Sequence, residues 1–237
     1  TDAVVVDGDG AVRARRRQPS GRGPAEVIAA AVASARDACA DAGVRPADVT
    51  VGIGTPGTVA DGVVSHALNL GVDRLDLGAE FASGFGVRPV VDNDVNVAAL
   101  GAWTLAGRAS GSMAYLNLGT GLAAGLVLGG HLWRGARGAA GEIGHISVDP
   151  AGPMGADGLP GGLETYASGS GLALQWGIEG QSGVDVVAAA HAGDARAREI
   201  CDRAYFGLAT AVRVLVLTVD VDEVVVGGGM TAWGDEL

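Results

Sequence analysis

The sequence predicts a two-lobed α/β fold, and three observations carry that expectation. Apolar, strand-like runs alternate with helical stretches in the order hairpin, helix, strand, strand, helix, and a second strand-rich half follows. Several of those runs end in clusters of polar residues or glycines, the kind of strand end where α/β sheets hold ligands. Glycine is abundant, 41 of 237 residues, while aromatics make up only 4%, so tight turns and close backbone approach take the place of large side chains.

The elements follow in order. Val4-Val5-Val6-Asp7, the turn Gly8-Asp9-Gly10 and Ala11 to Arg15 read as a β-hairpin. Pro24 suits a first helical turn, and apolar positions through Ala40 carry a helix that Gly43 ends. Val49 to Gly54 is a buried strand running into Thr55-Pro56-Gly57, and a second strand, Pro89-Val90-Val91, ends in Asp92-Asn93-Asp94 ahead of a helix from Val95 to Ala106. Strands are expected at Met113 to Leu118, Gly125 to Leu128 and Ile146 to Val148, with a glycine-rich loop from Gly135 to Gly144. Helices are expected at about 164–177, 184–191 and 194–217, the last apolar on more than one face. A final strand, Glu223 to Val226, stops at Gly227-Gly228-Gly229. The lobes divide as 1–105 and 106–237. Residues 66–76 stay unplaced by pattern.

Composition excludes several function classes. The formal net charge is −11, and the 16 cations are all arginine, so the segment lacks the basic face that a phosphate-backbone binder needs, and nucleic acid is not expected as a partner. Cys39 and Cys201 lie far apart in alanine-rich helical contexts and read as reduced core residues, which points to the cytoplasm. Thr1-Asp2 leads straight into a strand, without the basic start and apolar core of a signal peptide. Residues 109–133 carry no charged side chain, but Asn117, Thr120 and repeated glycines make this two strands joined by turns rather than a membrane helix.

Three constellations could carry chemistry. Asp92-Asn93-Asp94-Val95-Asn96 gathers two carboxylates and two amides at a strand-to-helix junction, suited to a polyhydroxylated ligand and to removing a hydroxyl proton; the same residues also suit a helix N-cap. Gly119-Thr120-Gly121 offers free backbone N–H groups to phosphate oxygens, or is an ordinary turn, and Gly227-Gly228-Gly229 has the same double reading. Gly141-Glu142-Ile143-Gly144-His145 brackets a glycine with a carboxylate and an imidazole, able to grip neighbouring hydroxyls or to serve structure, and Glu164 follows. Neither a Ser-His-Asp nor a Cys-His nucleophile pattern is present, nor a paired-cysteine metal motif.

In this order the motifs resemble the ROK family of repressors, unassigned reading frames and sugar kinases. Gly52-Ile53-Gly54-Thr55-Pro56-Gly57, Asn93-Asp94, Leu118-Gly119-Thr120-Gly121, Glu142-Ile143-Gly144-His145 and Leu163-Glu164-Thr165-Tyr166-Ala167-Ser168-Gly169 carry the resemblance over nearly the whole chain. It implies the actin-like ATPase (ribonuclease H-like) fold with an active site in the interlobe cleft. It implies that Asn93 and Asp94 hold the sugar and Asp94 acts as base. Gly57, Asn69, Glu142, His145 and Glu164 then contact the sugar. Gly119, Thr120 and Gly121 form a phosphate loop, and Gly227, Gly228 and Gly229 lie on the adenosine side. The implied activity is ATP- and Mg2+-dependent phosphorylation of a glucose-like or N-acetylated hexose by a homodimer or homotetramer. A sugar-binding regulator or pseudo-kinase is the alternative, and polyphosphate is a lesser alternative as donor.

Three departures from the family pattern matter. The family's opening strand and Asp-Gly-Gly-Thr phosphate loop are expected before Thr1, and a C-terminal helix beyond Leu237. The loop that in the family reads Cys-x-Cys-Gly-x-x-Gly-Cys stands here as Gly155 to Gly162. Of the positions matching the family's zinc ligands only His145 remains, with Asp157 at one former cysteine, so no structural zinc is expected. Pro153, Pro160 and the packing of Met154 and Leu159 are expected to hold the loop instead.

Overall fold

A computed structural model of the protein describes residues 1–233. Packing divides the chain into two compact units, Thr1–Asp94 and Val95–Leu237. The division falls at the start of the helix that the sequence reading gave to the first lobe. That helix buries Trp103 against Met113 and Val127, so its apolar side belongs to the second unit.

In the first unit β1 (Asp2–Val6) and β2 (Val12–Arg17) form the expected hairpin. Asp7 makes its turn, with Oδ1 accepting from the Asp9 and Ala11 N–H groups at 3.1 and 2.9 Å. Helix α1 (Pro24–Ala42) starts on Pro24 and ends at Gly43 in the left-handed conformation. It buries Val27, Ala38 and Cys39. Then come β3 (Gly52–Thr55), a meander of β4 (Thr58–Ala60), β5 (Val63–Ala67) and β6 (Val72–Asp76), and α2 (Leu77–Phe85), which Asp76 caps by accepting from the Ala79 N–H at 2.8 Å. β7 (Val90–Asn93) pairs with β3 in parallel. Phe81 and Phe85 stack with ring centroids 5.0 Å apart and pack with Cys39. A cavity of about 500 Å3 lies beside β1 and β3, walled by Val5, Ala35, Ile53 and Phe81; among the described residues neither strand has a partner on that side.

Helix α3 (Asp94–Leu105) leads into the sheet of the second unit. There β8 (Met113–Leu118), β9 (Leu122–Leu128) and β10 (His131–Trp133) form an antiparallel run in the order β10-β9-β8. After a long loop, α4 (Leu163–Ala167), α5 (Gly169–Trp176), α6 (Gly183–His191) and α7 (Ala195–Val219) pack on the sheet, and β11 (Glu223–Gly227) joins it parallel to β8. The core gathers Leu116, Leu118 and Leu122 from the strands with Leu163, Leu172, Val186, Ile200, Ala204 and Leu215 from the helices. The buried positions of α7 (Ala197, Ile200, Cys201, Ala204, Gly207, Ala211, Leu215) recur every three or four residues, so one stripe of this helix faces the core. Phe206 and Leu217 lie outside that stripe and are exposed.

The expected strand at 146–148 is reduced to a single bridge, Ser147 opposite Gly162. The expected helix at 164–177 is two helices, because Ser168 leaves the helical conformation and its Oγ accepts from the Gly171 N–H at 3.0 Å, starting α5 afresh. Cys39 and Cys201 are buried free thiols, and burial pushes the Cys39 thiol above its ordinary value. Among the described residues no helix is long and apolar enough to cross a membrane.

Candidate active site

The parallel pairing of β3 and β7 sets Gly54 opposite Asp92 and Thr55 opposite Asn93. Two chain segments, Thr55-Pro56-Gly57 and Asn93-Asp94, therefore leave the pair at the same carboxyl end. Asn93 Nδ2 donates to the Gly57 carbonyl at 3.1 Å, and Asp92 Oδ1 accepts from the Asn93 N–H at 2.8 Å. Gly57 has φ +94, and a Cβ there would lie 2.6 Å from the Ser65 carbonyl oxygen, so the position admits glycine only. Asp94 is exposed in the first turn of α3, where the helix dipole favours a carboxylate. Asn69 is exposed on the 3-10 turn Leu68–Leu70, just past Ala67, whose backbone faces Gly57.

The remaining sugar-ligand candidates come together in the second unit. Ala124 in β9 donates its N–H to the Gly141 carbonyl at 2.8 Å, and Gly141, at φ +91, lies so close to the Ala124 carbonyl that a side chain there would collide with it. This seats the 3-10 turn Ile143–His145, with Glu142 at its start and His145 at its end, along β9. Glu164, in the first turn of α4, reaches the β8–β9 turn, where its Oε2 accepts from the Leu122 N–H at 3.0 Å. A Cβ on Gly144 would collide with the Leu122 carbonyl oxygen and meet the Glu164 Cβ at 3.1 Å, so the turn packs closely on both. The structure thus brings Glu142, His145, Glu164 and the Gly119–Gly121 loop into one neighbourhood.

That loop forms part of a cavity of about 450 Å3 in the second unit. Of the nucleotide-side candidates, Gly119, Thr120 and Gly229 line it, whereas Gly121, Gly227 and Gly228 do not. Gly121 makes room for the Glu164 carboxylate and Gly227 backs onto the Tyr115 ring. Ser170, Ser182, Gly183 and Met230 also line the cavity, and sequence reasoning had not singled them out. Their signal was the Ser-Gly pairs ahead of apolar runs, at which α5 and α6 begin. α6 opens with a capping box in which the Ser182 N–H donates to Asp185 Oδ2 at 2.7 Å; that bond, with the one from the Ser182 hydroxyl, holds Asp185 below the ordinary carboxylate range. Ser170 Oγ donates to the Thr120 carbonyl at 2.6 Å, tying α5 to the glycine loop. The first N–H groups of α5 are taken, Gly169 by the Gly119 carbonyl at 2.8 Å and Ser170 by the Thr120 carbonyl at 3.0 Å, so the start of α6 and the glycine turn are the backbone suited to phosphate oxygens.

The loop from Asp149 to Gly162 does not suit zinc. Among the described residues no group of three or more His, Cys, Asp or Glu side chains could hold a metal ion. His145 and Asp157 meet, with Nδ1 3.1 Å from Oδ2, while Gly155 and Gly162 offer no ligand. Met154 and Leu159 do not pack as expected, since both side chains are exposed. Backbone bonds close the loop instead: a bridge between Met154 and Pro160, Gly155 N–H to the Leu159 carbonyl at 2.9 Å, and Val148 N–H to the Gly161 carbonyl at 2.9 Å. The Leu159 N–H, and after it His145, holds the Asp157 carboxyl below the ordinary carboxylate range.

Known proteins are similar to this chain in sequence and fold. A glucokinase from Halalkalibacterium halodurans is 35% identical over 210 residues, 80% of this chain and 64% of the relative, so the chain spans just under two thirds of that protein's length. An N-acetylmannosamine kinase from Escherichia coli is 30% identical over 236 residues, covering 96% of this chain and 79% of the relative. The solved structure of a ROK family glucokinase from Streptomyces griseus, in complex with glucose and AMPPNP, superposes with a TM-score of 0.81 at 29% identity over 98% of this chain and 80% of that one. The fold is accordingly the actin-like ATPase fold of these kinases. The ROK family model itself matches residues 1–237, from the first residue to the last, and the chain belongs to the ROK family.

Proposed function

We propose that the protein is a sugar kinase that transfers the γ-phosphate of ATP to a hydroxyl of a glucose-like hexose or N-acetylhexosamine. The observation that carries this reading is the junction at Glu164. One carboxylate oxygen braces the glycine loop at Leu122, in the same neighbourhood as Glu142 and His145, so groups suited to hydroxyls stand beside groups suited to phosphates. The names of the relatives, glucokinase and N-acetylmannosamine kinase, support the same substrate class.

In this reading Glu142, His145, Glu164 and Asn93 bind and orient sugar hydroxyls, with Gly57 and Asn69 contributing from the turns beside Asn93. Asp94 accepts the proton of the attacking hydroxyl. The hydroxyl oxygen forms the new bond to the γ-phosphorus, the bond from that phosphorus to the β–γ bridging oxygen breaks, and ADP leaves. The protein's part is positioning and charge stabilisation. Gly119, Thr120, Ser170, Gly183 and Gly229 would hold the nucleotide, whose phosphates bring Mg2+ with them and so supply the positive charge that offsets the transferring group. Two buried free thiols suit a reducing, cytoplasmic setting.

The test is an assay of the purified protein with glucose, mannose or N-acetylmannosamine and either ATP or polyphosphate. Formation of one sugar phosphate per ADP released is the expected result. Calorimetric sugar binding without phosphate transfer from either donor would replace the kinase with a sugar-binding regulator.

A further inference from the structure

His145 ends the 3-10 turn Ile143–His145 with its side chain 58% exposed. An imidazole so placed, held by nothing but its backbone, samples several rotamers and both neutral tautomers. Here its Nδ1 lies 3.1 Å from Asp157 Oδ2. Asp157 is itself fixed, because its other oxygen accepts from the Leu159 N–H at 3.0 Å inside the closed loop. That loop is tied back to the segment following His145, since Ser147 Oγ donates to the Pro160 carbonyl at 2.6 Å. Both partners are therefore anchored from their own sides.

A carboxylate only accepts hydrogen bonds, so the ring must donate from Nδ1, and in the neutral ring Nε2 is then an acceptor. We infer that Asp157 is a positioning residue that, by accepting the Nδ1 proton, holds His145 in one orientation and one tautomer, with Nε2 as acceptor for a sugar hydroxyl. The inference rests on the reading of His145 as a sugar ligand. The carboxylate does for this ring what a ligated metal does elsewhere, occupying one nitrogen and so defining the other. An exposed pair of this kind adds little to stability, so its effect falls on the ring rather than on the melting temperature.

Long-range 1H–15N spectra of the His145 ring, assigned with the H145Q variant, read the tautomer directly. The parent protein should show the Nδ1-protonated form, and D157A should lose it. In D157N a single amide oxygen cannot serve both the Leu159 N–H and the ring; kept on Leu159, it leaves the amide NH2 facing Nδ1 and should invert the tautomer. Sugar affinity by calorimetry should fall roughly three- to tenfold in both variants, as one lost hydrogen bond predicts. An unchanged tautomer in D157A overturns the inference. If instead the tautomer shifts in D157A while H145Q binds sugar as the parent does, the Asp157–His145 coupling stands and the role of His145 as a sugar ligand falls.

Discussion

The proposed function gives Asp94 and Glu164 different duties, and single substitutions should separate them. Asp94 lies exposed at the start of α3, and the proposed function has it take a proton from a hydroxyl. D94N keeps an acceptor there but no base, so sugar binding should stay within about tenfold while turnover falls at least ~100-fold, the usual reach of general-base catalysis. Turnover within threefold of the parent would remove Asp94 from that role. Glu142 and Glu164 should each cost about 1.5–3 kcal/mol of sugar affinity on change to alanine, the worth of a hydrogen bond to a charged group. E164A should also lower the melting temperature by roughly 2–4 °C, because it strands the Leu122 N–H, whereas E164Q should not. Calorimetry and thermal melts on the three variants check both statements. Asn93, Glu142 and Glu164 were legible in the sequence because polar groups stood out at the ends of apolar runs. Ser170 and Ser182 were not, because a serine at a helix start looks the same whether or not a cavity opens in front of it.

Among the elements, α1, α3 and α7 were readable from periodicity, with Pro24 and Gly43 marking the ends of α1. The meander β4–β6 was missed because strands as short as Thr58–Ala60 give alternation too little length to register. The break between α4 and α5 was missed for a different reason: Ser168 is fully buried, and its hydrogen bond to the Gly171 N–H, not a proline or a polar run, sets the new helix. On α4, Tyr166 is buried with its hydroxyl donating to Asp149 Oδ2 at 2.9 Å, which joins that helix to the Asp149–Gly162 loop. Burial, and after it Asp149, raises the phenol above its ordinary value. A folded-state value above the unfolded one favours the protonated form. The stabilisation is complete below the unfolded value of about 10 and is lost as pH climbs from there through the folded value. Y166F should cost about 0.5–1.5 kcal/mol at neutral pH and flatten that alkaline decline, as denaturant melts at pH 7 and near pH 11 would reveal. An equally steep decline in Y166F would place its origin elsewhere.

At the scale of the whole molecule, the loss of every cysteine from the Gly155–Gly162 loop predicts that purified, tag-free protein dialysed against a chelator retains no zinc; near one equivalent per chain by elemental analysis would contradict this. The fold class was legible because five motifs keep their order along the chain. What order alone could not give was which of them touch, since that depends on how Gly141 and Gly144 let the Glu142–His145 turn settle on β9. Glu164 makes one such contact, and with sugar and nucleotide assigned as proposed, it gives the two ligands a shared support. Their affinities then become a single thermodynamic quantity. The factor by which sugar tightens a non-hydrolysable ATP analogue must equal the factor by which the analogue tightens sugar, about fivefold or more if the coupling is of ordinary size, and E164A should draw both factors toward one. Substrates that arrive in either order would therefore find the same cooperative partner, a carboxylate with one oxygen committed to the loop and the other turned to the sugar's use.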